Sequence, residues 1–104
     1  MTEINNYAFL CCTSLGTFMI PDGVTDIGIS VFEGCEHLSE VIIPESLVRI
    51  GNGAFIQCSS LDIITYNGTA EQWNSIEKGE NWDLYTGNYV VNCSDGTIPK
   101  KNNG

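Results

Sequence analysis

Three cysteines stand in step along the chain, Cys12, Cys35 and Cys58, each 23 residues from the next. Thiols stacked at one spacing could close a disulfide, hold a soft metal or respond to redox state. Cys11 and Cys93 raise the count to five, an odd number that excludes a fully paired framework, and no Cys-x-x-Cys of the metal or thioredoxin kind occurs. Cysteine is also a small buried hydrophobe, and a packing requirement places the same residue in the same slot of every repeat. Buried, unreactive thiols are the preferred reading. His37, the one histidine, lies beside Glu36 and shortly before Glu40, a setting in which imidazole can act as a general base. Its counterparts one period away are Ser14 and Ser60, and a column of varying polar residues reads as solvent surface. Glu33, Glu36 and Glu40 have no acidic counterparts one period away, so a solvated acidic patch is expected rather than a calcium site. No nucleophile elbow, phosphate-cradling glycine loop or HExxH helix is present. The expectation is a non-enzymatic protein with no cofactor and no metal. Asn67-Gly68-Thr69 and Asn92-Cys93-Ser94 match the glycosylation sequon, but both fall where a turn or hairpin itself favours asparagine.

The elements that position these residues must be small. With 104 residues and 11.4 kDa the chain has material for one domain. Thirteen acidic residues against four basic ones give a formal charge of −9, and Lys100 and Lys101 sit near the end. Such a surface repels phosphate backbones and anionic lipid, which disfavours nucleic-acid and membrane partners. The longest apolar run, Tyr7 to Cys12, is far too short to span a bilayer. Met1 to Asn6 carries no secretory signal pattern, so either the chain stays in the cytoplasm or its signal lies outside these residues.

The period of 23 extends well beyond cysteine. Phe9, Phe32 and Phe55 keep it, as do Leu15, Leu38 and Leu61, then Phe18, Val41 and Ile64, then Ile20, Ile43 and Tyr66. Ile-Pro recurs at Ile20-Pro21 and Ile43-Pro44, and Ile-Gly at Ile27-Gly28 and Ile50-Gly51. Apolar residues returning every two or three positions, with proline and glycine at corners, describe a solenoid whose coils bury one another's faces. Leu-x-x-(Phe/Val/Ile)-x-Ile reads as a short strand, ended by proline, that pairs in parallel with its counterparts. Ile-Gly marks the far corner, where glycine's backbone freedom is expected to matter. Ala-Phe-x-x-Cys is expected to form one helical turn.

The stretch Gly51-Asn52-Gly53-Ala54-Phe55-Ile56-Gln57-Cys58-Ser59-Ser60-Leu61 resembles the BspA-like, Treponema-type leucine-rich repeat. The departures are few: Val31 stands for a small alanine, Leu47 for valine, and Tyr66-Asn67 for Ile-Pro. The resemblance implies a leucine-rich-repeat solenoid of short parallel strands and helical turns, with about three coils over residues 1–66. It also implies a microbial surface or secreted protein concerned with adhesion to host or extracellular-matrix proteins.

After residue 66 the pattern dissolves. Thr69 and Gln72 form a capping-box pair that predicts a short helix, with Trp73 and Ile76 on one face suited to covering the end of the last coil, helped by Trp82. Ser94-Asp95-Gly96 between Tyr89–Cys93 and Thr97-Ile98 predicts a hairpin. Residues 67–98 thus read as a C-terminal cap within the same domain, resembling the segment that follows the last repeat in this family, and residues 99–104 as a flexible tail. On the strands, residues alternating with the inward ones face out as two columns: Thr17, Glu40 and Ile63, and Met19, Ile42 and Thr65. Met19, Ile42 and Ile63 are apolar without a core to fill, which marks this face as the candidate protein-binding site. Two bland alternatives stand beside it: β-propensity alone chose isoleucine, or the C-terminal segment folds over the face. The first coil begins without a polar cap, which suggests a route to homo-oligomers or a piece of a longer array. In the latter case the chain is a structural C-terminal cap with no ligand of its own.

Overall fold

Two sheets of short strands run side by side along a stack of coils in the computed structural model, which describes residues 2–100. One is built from β1 (Glu3–Ile4), β3 (Asp26–Ile27), β5 (Arg49–Ile50) and β7 (Glu77–Lys78), in that order and all parallel. The other contains β2 (Thr17–Met19), β4 (Glu40–Ile43), β6 (Ile63–Tyr66) and β8 (Val90–Cys93), again parallel, and ends in β9 (Gly96–Pro99), antiparallel to β8. The register sets Phe18 beside Val41 and Val41 beside Ile64, so the period seen in the sequence is the spacing between coils. The chain is a leucine-rich-repeat solenoid of about four turns.

Side chains from these columns fill the interior. Phe32, Phe55, Cys35, Cys58, Leu38 and Val41 are completely buried. The phenylalanines stack nearly parallel, with centroids 5.6 Å apart between Phe9 and Phe32 and 5.0 Å between Phe32 and Phe55.

The segment joining the two sheets, expected to be a helical turn, is a chain of tight turns. In the second coil, Cys35 N–H bonds the carbonyl of Phe32 three residues back, while the N–H groups of Ser30, Phe32 and Gly34 donate across to Asn52, Ala54 and Ile56 of the next coil. A helix would spend every N–H internally; here alternate donors are released to the neighbouring coil. The alternation demands left-handed backbone at two places in each arc: Tyr7 and Cys11, Ser30 and Gly34, Gly53 and Gln57, Asn81 and Tyr85, with φ between 53° and 76°. Glycine at the Ile-Gly corner has a different role from the one expected. Gly28 and Gly51 do not have positive φ; a Cβ on Gly51 would lie 2.5 Å from the carbonyl carbon of Gly28 and 2.8 Å from Ile29 N. Close approach of successive backbones, not unusual angles, excludes a side chain there.

Beyond residue 66 the solenoid continues. α1 (Ala70–Ser75) carries the expected capping box, Thr69 Oγ1 accepting from Gln72 N–H and Gln72 Oε1 from Thr69 N–H. Instead of closing the last coil, the helix is inserted at a corner between the third and a fourth, with Trp73 packed on Tyr66 and Trp82. The fourth coil is degenerate: Lys78 pairs with Ile50, Val91 with Ile64, and the carbonyls of Glu80, Trp82 and Leu84 accept from Gly53, Phe55 and Gln57. The predicted hairpin is β8–β9, with Asp95 Oδ1 accepting from Ala70 N–H at the start of α1. Of the predicted tail, Pro99 belongs to β9 and Lys100 N–H bonds Tyr89 O; residues 101–104 lie outside the described residues.

Candidate protein-binding surface

The strand face is assembled by register. Thr17, Glu40 and Ile63 lie side by side in one outward column, and Met19, Ile42 and Thr65 in the next. All six point out as expected: Thr17 and Met19 are exposed, Met19 at 65%, and Glu40, Ile42, Ile63 and Thr65 are half-buried. Sequence reasoning missed the continuation. Ile63 pairs with Val90, and Thr65 with Asn92. The apolar members form a diagonal strip, Met19 beside Ile42, Ile63 one strand further along, and Val90 beside Ile63. Alternation in Val90-Val91-Asn92 was the available signal, hidden because the spacing to β8 is no longer 23. Thr65 Oγ1 donates to Glu40 Oε2 at 3.4 Å, which ties the polar flank of the strip together. The C-terminal segment does not fold over this face. β9 pairs with the edge of β8 and lengthens the sheet.

Two of the three thiols in step are engaged in structural bonds. Cys35 Sγ donates to Phe9 O at 3.2 Å and Cys58 Sγ to Phe32 O at 3.0 Å, each thiol locking its coil to the one before. Burial pushes the Cys58 thiol up to about 12, with Cys35 adding in the same direction, and burial raises Cys35 as well. A thiol held protonated is a poor nucleophile. All five cysteines are free, and Cys93 lies in the Tyr66 column, outside the ladder. His37 is exposed, its Nδ1 2.7 Å from Thr13 O and therefore the donor. Glu40 turns instead to Thr65, so the two do not form a base and its orienting carboxylate. Lys78, standing in the isoleucine column, donates to the carbonyls of Trp73 and Ile76 near the end of α1, and its ammonium lies 4.5 Å from the Trp73 ring centre. Burial lowers its pKa. Tyr89 donates to Asp83 Oδ2 at 2.7 Å, and burial followed by that bond raises its phenol. Among the described residues no three His, Cys, Asp or Glu side chains converge as a metal site.

A family profile described as the BspA type leucine-rich repeat region matches residues 1–79 in six copies. The chain belongs to the BspA-type leucine-rich repeat family. The match covers the first three coils, while most of the degenerate fourth lies beyond it. Repeats of this family point to a protein-interaction module, generally non-enzymatic, and are typically carried by surface or secreted proteins. No curated protein and no solved structure matches the chain. No helix among the described residues is long and apolar enough to cross a membrane.

Proposed function

We propose that this chain binds a partner protein through its strand face, and that it does so at a microbial cell surface or in secreted form, in adhesion to host or extracellular-matrix proteins. The observation that carries the reading is the diagonal strip Met19, Ile42, Ile63 and Val90, apolar, solvent-facing and left open by the closing segment. A net charge of −9 favours a partner with a basic rim and makes association salt-sensitive. The face is small beside the roughly 800 Å² per partner of a stable interface, so affinity has to come from a few central anchors. Ile42 and Ile63 hold that central position on β4 and β6, with Met19 beside Ile42 at the β2 end of the strip.

The test is saturable binding of the purified chain to immobilised extracellular-matrix glycoproteins, beside the Met19→Glu/Ile42→Lys variant. A variant with unchanged circular dichroism and at least tenfold weaker binding supports the reading. Equal binding by the two proteins removes the strand face from it. A second reading is favoured by β9, which ends the parallel series of one sheet by pairing antiparallel with β8. In that reading the chain is a structural cap with no ligand of its own.

A further inference from the structure

The interior changes character in the fourth coil. Phe55 N–H donates to Trp82 O as Phe32 N–H does to Ala54 O, which places Trp82 in the alanine column and Asp83 in the column of Phe9, Phe32 and Phe55. Lys78 likewise stands in the column of Ile4, Ile27 and Ile50. Two columns that are apolar in every earlier coil therefore carry opposite charges here, and both residues line a recess of about 290 Å³. Trp73, Trp82 and Tyr89 line it with rings whose successive centroids are 6.0 and 5.9 Å apart. Exposed Asn74 adds an amide, and Ile98 and Pro99 of β9 form a further wall. Among the described residues neither Lys78 nor Asp83 is in an ion pair. Lys78 gives two N–H bonds to the carbonyls of Trp73 and Ile76, and Asp83 takes the Tyr89 hydroxyl on Oδ2. One ammonium N–H and Asp83 Oδ1 remain to be used.

We infer that this recess binds one ring of a neutral saccharide. A cation is disfavoured because the Lys78 ammonium already lies 4.5 Å from the Trp73 ring centre. An anion meets Asp83 in a chain of net charge −9. A purely apolar ligand would take water from both charges and return no hydrogen bond. Sugar hydroxyls are donors and acceptors at once: one donates to Asp83 Oδ1, another accepts from Lys78, and the Asn74 amide serves either. The C–H face of the ring lies against Trp82, which is half-buried where Trp73 and Tyr89 are buried. The volume stands at the small end of ligand pockets, roughly 300–1,000 Å³, and suits a single ring. A polar surface on this coil would need charges alone; it would not need three aromatic rings around a hollow. Val91 lines the recess, while Val90 continues the outward strip, so the site lies across β8 from the strand face and is independent of it.

The experiment titrates the full chain with the methyl glycosides of glucose, galactose, mannose and N-acetylglucosamine. Tryptophan fluorescence is the readout, since the chain's two tryptophans, Trp73 and Trp82, both line the recess. The expected result is a saturable shift with at least one glycoside, at a dissociation constant of about 1–10 mM, ordinary for a ligand of so few atoms. Asn74→Ala and Asp83→Asn should each weaken it about fivefold or more with unchanged circular dichroism. Asn74 is exposed, so its truncation leaves the fold in place. The strand-face variant Met19→Glu/Ile42→Lys should bind the sugar as the parent does. No saturable shift with any of the four glycosides, at ten times that concentration, overturns the inference. Undiminished binding by either recess variant does the same. So does a saturable shift with tetramethylammonium, acetate or glycine in place of the glycosides, which would make the recess a cation, anion or amino-acid site. Loss of glycoprotein binding with sugar binding intact, or the reverse, separates the failure of one proposal from that of the other.

Discussion

Gly51→Ala isolates the contact on which coil spacing depends. The added Cβ would sit 2.5 Å from both the carbonyl carbon and oxygen of Gly28 and 2.8 Å from Ile29 N. Carbon contacts relax near 3.5–4.0 Å, so the methyl intrudes by about 1 Å. The atoms it meets are backbone, held by Gly51 N–H to Ile27 O at 2.7 Å and by the β3–β5 ladder, and they cannot rotate aside. Relief requires the second and third coils to separate, which loosens the Phe32–Phe55 stack and the Cys58 thiol bond as well. The expected cost is at the upper end of the overpacking range, about 3 kcal/mol, equivalent to a fall in Tm of roughly 12–20 °C for a domain of this size. Gly16→Ala is the matched control. Nothing lies within 4 Å of its Cβ and its φ is not positive, so loss of chain entropy in the unfolded state should leave it neutral or up to about 1 kcal/mol more stable. Urea titration by tryptophan fluorescence and circular dichroism compares the two. Equal midpoints for Gly51→Ala and Gly16→Ala would refute the close-approach account of the corner.

The arcs predict opposite signs at equivalent positions: Gln57→Gly relieves a left-handed residue at φ 63° and should gain about 0.5–1 kcal/mol, whereas Gly34→Ala, at φ 76° with Cys11 Sγ 2.9 Å from the new methyl, should lose 1–2 kcal/mol, both read from urea midpoints. Removing the capping hydroxyl with Thr69→Ala should cost about 1 kcal/mol, also visible as a lower urea midpoint. Alkaline pH should destabilise the fold: the folded Cys58 pKa of about 12 lies above its ordinary 9.0, so its contribution is complete below pH 9 and lost between about 9 and 12. Cys35, Tyr66 and Tyr89 are raised and act in the same sense, while Lys78, lowered by burial, opposes them; thermal melts at pH 8 and pH 11 check the sign. Iodoacetamide at pH 8 should label exposed Cys11 quickly and buried Cys58 only after urea is added, as resolved by peptide mass mapping.

Much of this molecule is legible in residue spacing alone. The Phe, Cys and Leu columns fall at inward positions because a coil returning every 23 residues has to bury one side, and only apolar residues recur there. The same arithmetic placed Met19, Ile42 and Ile63 on the outer face, since side chains alternate along a strand. Local chemistry announced α1, through the reciprocal bonds of Thr69 and Gln72, and the hairpin, through Asp95-Gly96.

Features that depend on a neighbour distant in sequence were not legible in this way. The fourth coil was hidden because α1 is inserted at its corner, moving the register from 23 to 28 residues at β7, and because Lys78 replaces isoleucine in the core column. Lysine is acceptable there because the carbonyls of Trp73 and Ile76 and the Trp73 ring supply its partners. The arcs became turns instead of helix because alternate N–H groups find better acceptors one coil away, a competition that local propensity does not record. Gly28 and Gly51 have an identity that spacing shows and a reason that it does not, since the obstacle is the backbone of another coil. Side-chain type and period therefore determined which residues face in; contact between coils decided how the chain turns and where glycine is required.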